Sequence, residues 1–90
     1  MDITYDLDKN AKNIRDRGLS FDRAAEFDFE TAIVVQDTRN TYSEKRYVAT
    51  GFLDGRLHVL CFTPAMNGIR VISFRKANNR EVKRHEQKRI

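Results

Sequence analysis

The chain has no tryptophan, one proline, one cysteine and four glycines in 90 residues. A lone cysteine, Cys61, excludes an internal disulfide and a multi-cysteine zinc site. No apolar run approaches the roughly 20 residues that a membrane-spanning helix needs. The opening MDITYDLDKN is acidic and polar, so no secretory signal is expected. With so little proline and glycine there is no linker, and neither an internal repeat nor a low-complexity stretch interrupts the chain. Hydrophobic residues make up 40% of the sequence, which excludes the profile of a disordered tail. The expectation is one domain spanning residues 1–90, with a modest core and a cytoplasmic location.

Charge is unevenly placed. Residues 1–74 hold 10 basic and 11 acidic groups, whereas residues 75–90 (RKANNREVKRHEQKRI) hold 7 basic and 2 acidic groups. The whole excess of +4 therefore lies at the C-terminal end, through Lys88 and Arg89. Such a surplus fits a polyanion or an acidic protein as partner, and equally a solvated helix face.

The pattern of elements reads β-α-α-β-β-β-β-α. Ile3–Tyr5 can open a sheet. Asp6 caps a helix over Leu7–Asp16, where Leu7, Ala11 and Ile14 form an apolar stripe at i, i+4, i+7. Gly18 is a natural stop. Ser20 caps a second short helix over Phe21–Phe27, with Leu19 and Ala24 at hydrophobic-staple spacing. Strands are expected over Thr31–Gln36, Glu44–Leu53, Arg56–Thr63 and Ile69–Arg75. The last three are joined by Asp54-Gly55 and Asn67-Gly68, pairs that suit tight hairpin turns. Pro64 suggests a bulge in the second hairpin. Asn78 caps the last helix, with Glu81 as its capping-box partner.

A two-residue turn at Asp54-Gly55 sets Leu53 opposite Arg56, Phe52 opposite Leu57, Thr50 opposite Val59 and Val48 opposite Cys61. An equally tight Asn67-Gly68 turn sets Thr63 opposite Ile72 and Cys61 opposite Phe74. One face then carries Val48, Phe52, Leu57, Val59, Cys61, Ile72 and Phe74, a core for the N-terminal helices, with Cys61 a small buried hydrophobe. The other carries Tyr47, Arg56, His58, Leu60, Phe62, Val71, Ser73 and Arg75. Aromatic and basic groups on a sheet suit RNA, though a second hydrophobic layer with long side chains reaching to water has the same composition. A bulge near Pro64 would move Arg75 to the opposite face.

These segments resemble the BrnT toxin family. The similarity runs through Asp6–Asn13 (DLDKNAKN), then Gly18-Leu-Ser-Phe21-Asp-Arg-Ala24, Ser43-Glu44-Lys45-Arg46-Tyr-Val-Ala-Thr-Gly51, and Ile69-Arg70-Val-Ile-Ser73-Phe-Arg75-Lys76-Ala77 followed by Glu81. The chain departs from the family pattern at Asp16-Arg17, where the family has Lys-His, at Tyr5 in place of tryptophan, and at His85 in place of an aromatic. Arg17 can bind phosphate but stays protonated, so it cannot replace a histidine as a base.

The resemblance implies an α+β, RelE-like fold: an antiparallel sheet with two N-terminal helices on one face and a C-terminal helix. It implies the toxin of a type II toxin–antitoxin pair, a metal-independent endoribonuclease that inhibits translation. A cognate BrnA-type antitoxin would neutralise it in a hetero-oligomer and supply the operator DNA contacts. No cofactor, metal or membrane is expected. The competing readings are a non-catalytic RNA- or DNA-binding module and an interaction protein with a basic tail.

Metal-free cleavage by the 2′-OH needs a base, an acid and cations around the phosphorane. Arg75 is the first candidate for transition-state stabilisation, or else it pairs with Glu81 and holds the last helix. Glu44 and Arg46, two apart on one strand, are a base and a phosphate clamp, or a structural ion pair. His58 and His85 are candidates for proton transfer. Lys76, Arg80, Lys83 and Arg84 would meet RNA phosphates or the antitoxin. Lys9, Lys12 and Asn13 on the first helix are placed to line the same cleft.

Overall fold

The computed structural model describes residues 1–88; Arg89, which the basic tail included, lies outside the described residues. The fold is α+β. A five-stranded sheet in the order β1-β5-β4-β3-β2 is built from β1 (Asp2–Tyr5), β2 (Ile33–Gln36), β3 (Tyr47–Leu53), β4 (Arg56–Ala65) and β5 (Gly68–Lys76). Helix α1 (Leu7–Arg17), a short 3₁₀ helix (Phe21–Glu26) and helix α2 (Asn79–Lys88) complete it. The sheet is mixed rather than antiparallel, because β1 runs parallel to β5.

The caps follow the side-chain chemistry. Asp6 accepts from the Asp8 and Lys9 amides at 2.9 and 3.1 Å, and Gly18 closes α1 in the left-handed region at φ 65°. Ser20 Oγ accepts from the Asp22 amide at 3.1 Å. Asn78 and Glu81 exchange the two reciprocal bonds of a capping box, each 2.9 Å.

The first hairpin keeps the expected register, with Leu53 opposite Arg56 and Val48 opposite Cys61. Asp54 and Gly55 take φ of 52° and 73°, as a tight turn requires. The second hairpin differs. Ala65 pairs with Gly68, so its turn is Met66-Asn67, and Asn67 rather than Gly68 takes the left-handed conformation. The bulge lies beside Ile72, not Pro64: Cys61 pairs with Ser73 and Phe62 with Val71. One extra residue flips every later side chain of β5.

Only the end of β5 changes face; the face that the N-terminal helices cover is the one with Leu60, Phe62 and Val71, opposite to the one expected. Phe74 now stands opposite Leu60, and Val71 opposite Phe62. With Ala49, Leu53 and Ile69 they form the main core, covered by Leu19, Phe21, Ala24 and Phe27 from around the 3₁₀ helix. Phe74 and Leu60 are fully buried, each worth about 1.5–3 kcal/mol of transfer free energy. Leu57, Val59, Val48 and Phe52 make a smaller layer beneath Ala77 and Val82 of the C-terminal segment. Cys61 is on this side and only half buried.

Helix α1 docks through polar groups. Its apolar stripe faces outward, with Leu7 77% exposed, while Asn10 and Asn13 are buried. Asn10 Oδ1 accepts from the Phe21 amide at 2.7 Å. Asn13 Nδ2 donates to the carbonyls of Leu19 and Phe74, both at 2.9 Å. These bonds satisfy backbone groups that would each cost about 1–3 kcal/mol if buried without a partner.

Gly68 has a different duty from a turn glycine. A Cβ there would sit 1.9 Å from the Asp2 carbonyl oxygen. Gly68→Ala is therefore expected to push β1 off β5 and lower stability by about 1–3 kcal/mol, measured by urea unfolding.

Candidate functional site

An open cleft of about 650 Å³ lies at the end of the sheet where the β3–β4 turn, the start of β4 and the end of β5 meet α1 and the 3₁₀ helix. Its walls include Arg17, Arg23, Arg56, Arg75 and Lys76, with Asp54 the one carboxylate among the lining residues and His58 beside them. The fold gathers these cations from four separate segments.

Each is held differently. Arg17 ends α1, and its Nη1 donates to Asn13 Oδ1 at 2.8 Å, so the buried asparagine also aims this guanidinium. Arg23 is tied to Glu26 and Asp54, both at 2.6 Å. Arg75 sits on the α2 face of β5, opposite Val59, and donates to both oxygens of Glu81 at 2.8 and 3.0 Å. Arg56 and Lys76 form no ion pair among the described residues and are exposed.

His58 is 4% exposed and tilts against the Phe74 ring. Its Nδ1 lies 2.7 Å from the Arg56 carbonyl oxygen. A carbonyl only accepts, so Nδ1 carries the hydrogen. With Nδ1 as the donor, Nε2 is the ring nitrogen that can accept, and it has no partner among the described residues.

The Arg75 guanidinium, together with the Asn78 amide, holds the Glu81 carboxyl down at about 2. The ordinary value is 4.5, so the sign is that of a depressed acid. Its stabilisation is complete above about pH 4.5 and is lost as pH falls toward 2. Because the pair is partly exposed, the loss is expected to be about 1 kcal/mol, read from denaturant midpoints between pH 5 and 2 and absent in Glu81→Gln.

The remaining sequence candidates lie elsewhere. Glu44 and Arg46 precede β3 instead of standing on it. Arg46 Nε meets Glu44 at 3.2 Å and its guanidinium lies 4.1 Å over the Tyr42 ring, an arrangement that closes the loop before β3. In that loop Asp37 is anchored by Arg39, which holds its carboxyl well below the usual range. His85 is on α2, 4% exposed, with its ring edge-on to Phe52 and neither nitrogen bonded. It lines a second groove, together with Arg84 and Lys88. Arg80 and Lys83 are exposed on α2. Lys9 and Lys12 flank a shallow depression that shares Arg17 with the cleft, and Lys12 pairs with Asp16. Asn13 also lines that depression, although its side chain is 5% exposed and engaged with backbone carbonyls. Among the described residues no three His, Cys, Asp or Glu side chains are grouped to hold a metal.

Arg56 and Arg23 were not singled out from the sequence. A signal for Arg56 existed, since the Asp54-Gly55 turn places it on one face with His58. Arg23 offered none, because its approach to Asp54 spans 31 residues.

No helix among the described residues is long and apolar enough to cross a membrane. Residues 5–81 match the model of a family described as the ribonuclease toxin, BrnT, of a type II toxin–antitoxin system. No curated protein matches the chain.

Proposed function

The chain belongs to the BrnT family of type II ribonuclease toxins, and from that premise we propose that it is a metal-independent endoribonuclease whose reaction takes place in the basic cleft. The observation that carries the reading is a single cleft lined by Arg17, Arg56, Arg75 and Lys76 together with His58, a histidine whose tautomer is already set.

His58 Nε2 takes the proton of a ribose 2′-OH. The oxygen attacks the adjacent phosphorus, and the P–O5′ bond breaks to leave a 2′,3′-cyclic phosphate. The guanidinium groups meet the phosphorane oxygens, since they stay charged and match that geometry. Lys76 gives a proton to the departing O5′; it is the one cation in the cleft able to release one. Water then restores both groups. Glu44, Arg46 and His85 take structural parts in this scheme. Lys9 and Lys12 extend the track for the RNA backbone through Arg17, while Arg80, Lys83 and Arg84 lie on the helix side.

The proposal includes a RelE-like single domain, cytoplasmic action against translation, and neutralisation by a BrnA-type antitoxin that supplies the operator DNA contacts. A non-catalytic, degenerate toxin is the second reading. It is favoured by one observation, that Arg75 and Arg23 already have carboxylate partners.

The purified chain is expected to cut an RNA oligonucleotide equally with and without EDTA, giving cyclic phosphate ends. It should spare the same oligonucleotide carrying 2′-deoxy at the scissile position. Binding without products would establish the second reading instead.

A further inference from the structure

The sheet has an unprotected edge. Strand β2 is the last strand, and its sequence IVVQ contains no lysine, proline or bulge of the kind that blunts free edges. The Asp37 amide donates to the Arg46 carbonyl at 2.7 Å, so the odd-numbered residues of this strand face β3. By alternation, the backbone groups of Val34 and Gln36 point away from the sheet. Val35, 53% exposed, projects to the α2 side.

Beside this edge runs the second groove, about 190 Å³, between α2 and the sheet. Its floor is largely aliphatic: Ile33, Val35, Val48 and Val59, with Thr50 among them. Its rim is cationic: Glu81 is engaged by Arg75, and neither Arg84 nor Lys88 forms an ion pair among the described residues. His85 closes the wall with both nitrogens unpartnered. No residue lines both this groove and the catalytic cleft.

We infer that the β2 edge and the α2 groove together form a docking surface for an extended, acidic segment of a partner polypeptide, which joins the sheet as a sixth strand. Val34 and Gln36 supply the main-chain bonds, an apolar side chain of the segment enters the groove, and its carboxylates meet Arg84 and Lys88. A second copy of this chain fits less well, since pairing β2 with its own copy sets one cationic rim beside another. Nucleic acid fits less well too, since the floor offers aliphatic side chains and no backbone to complete the edge. The inference rests on the type II reading for its partner, the antitoxin.

The probe is a short extended peptide that carries valine and glutamate together on one face and threonine on the other, N-methylated along one edge so that it cannot pair with itself. It is titrated into the full chain and followed by amide exchange and fluorescence anisotropy. The Val34 and Gln36 amides are expected to gain protection. Val34→Pro removes an amide that β3 does not use, so the sheet tolerates it. It should weaken peptide binding by about tenfold or more while leaving RNA cleavage unchanged. R84E/K88E should transfer the preference to a valine–lysine peptide. Equal binding by Val34→Pro, equal binding of a glycine–glutamate peptide, self-association dispersed by Val34→Pro, or protection of the same amides by a 2′-deoxy oligonucleotide would each overturn the surface. Failure of wild type to cleave RNA would count against the nuclease reading alone.

Discussion

His58→Asn is expected to reduce RNA cleavage by about 10²–10⁴-fold, the range that removing a general base produces. Asparagine is the informative substitution. Its Nδ2 occupies the place of the histidine Nδ1 and can donate to the Arg56 carbonyl, 2.7 Å away in the wild type. The main-chain anchor survives, and so does the shape against Phe74, while the position of Nε2 is left without a proton acceptor. Binding of a 2′-deoxy oligonucleotide should stay within about twofold, because the phosphate contacts belong to Arg17, Arg56, Arg75 and Lys76. The check is single-turnover cleavage beside an anisotropy titration, with amide spectra to confirm the fold. Full-rate cleavage by a folded His58→Asn would remove His58 from the mechanism.

How much of this was legible without coordinates depends on the range of the interaction. The caps at Asp6, Ser20 and Asn78 each act within three residues, and the structure bears them out. Asp54-Gly55 fixes φ at two positions and so sets the β3–β4 register correctly along its length. The second hairpin departs from the expected register because Asn67-Gly68 can serve two uses. Asn67 supplies the left-handed turn residue, whereas Gly68 is required by β1, whose Asp2 approaches from the far end of the chain. Pro64 points to a bulge in this hairpin without fixing it at Ile72, and the bulge moves Arg75 to the opposite face as expected. The stripe Leu7, Ala11, Ile14 follows helical periodicity but not burial. What docks α1 is the satisfaction of the Leu19, Phe21 and Phe74 backbone groups by two asparagines, and no hydropathy pattern encodes that. The same buried Asn13 orients Arg17, so the cleft inherits a feature hidden at the level of composition.

Arg75 presents the sharper conflict between stability and chemistry. Its fork is fully matched to Glu81, which ties the end of β5 to the first turn of α2. A purely structural Arg75 and a catalytic one predict different results for two substitutions. Arg75→Ala removes the cation and leaves Glu81 partly buried without its partner. Cleavage should fall by about 10²–10³-fold, as for loss of one transition-state donor. Stability should fall by about 1–2 kcal/mol. Glu81→Gln removes the negative partner and keeps the guanidinium in place. Its stability loss should be similar, but cleavage should fall by no more than about threefold, since a guanidinium released from a carboxylate remains charged and free to bind phosphate. Urea midpoints and single-turnover rates measured on both proteins separate the cases. If the two variants lose activity in proportion to stability, Arg75 serves the joint between β5 and α2. If only Arg75→Ala loses activity, the cation itself is used on the phosphate, and Glu81 serves only the joint between β5 and α2.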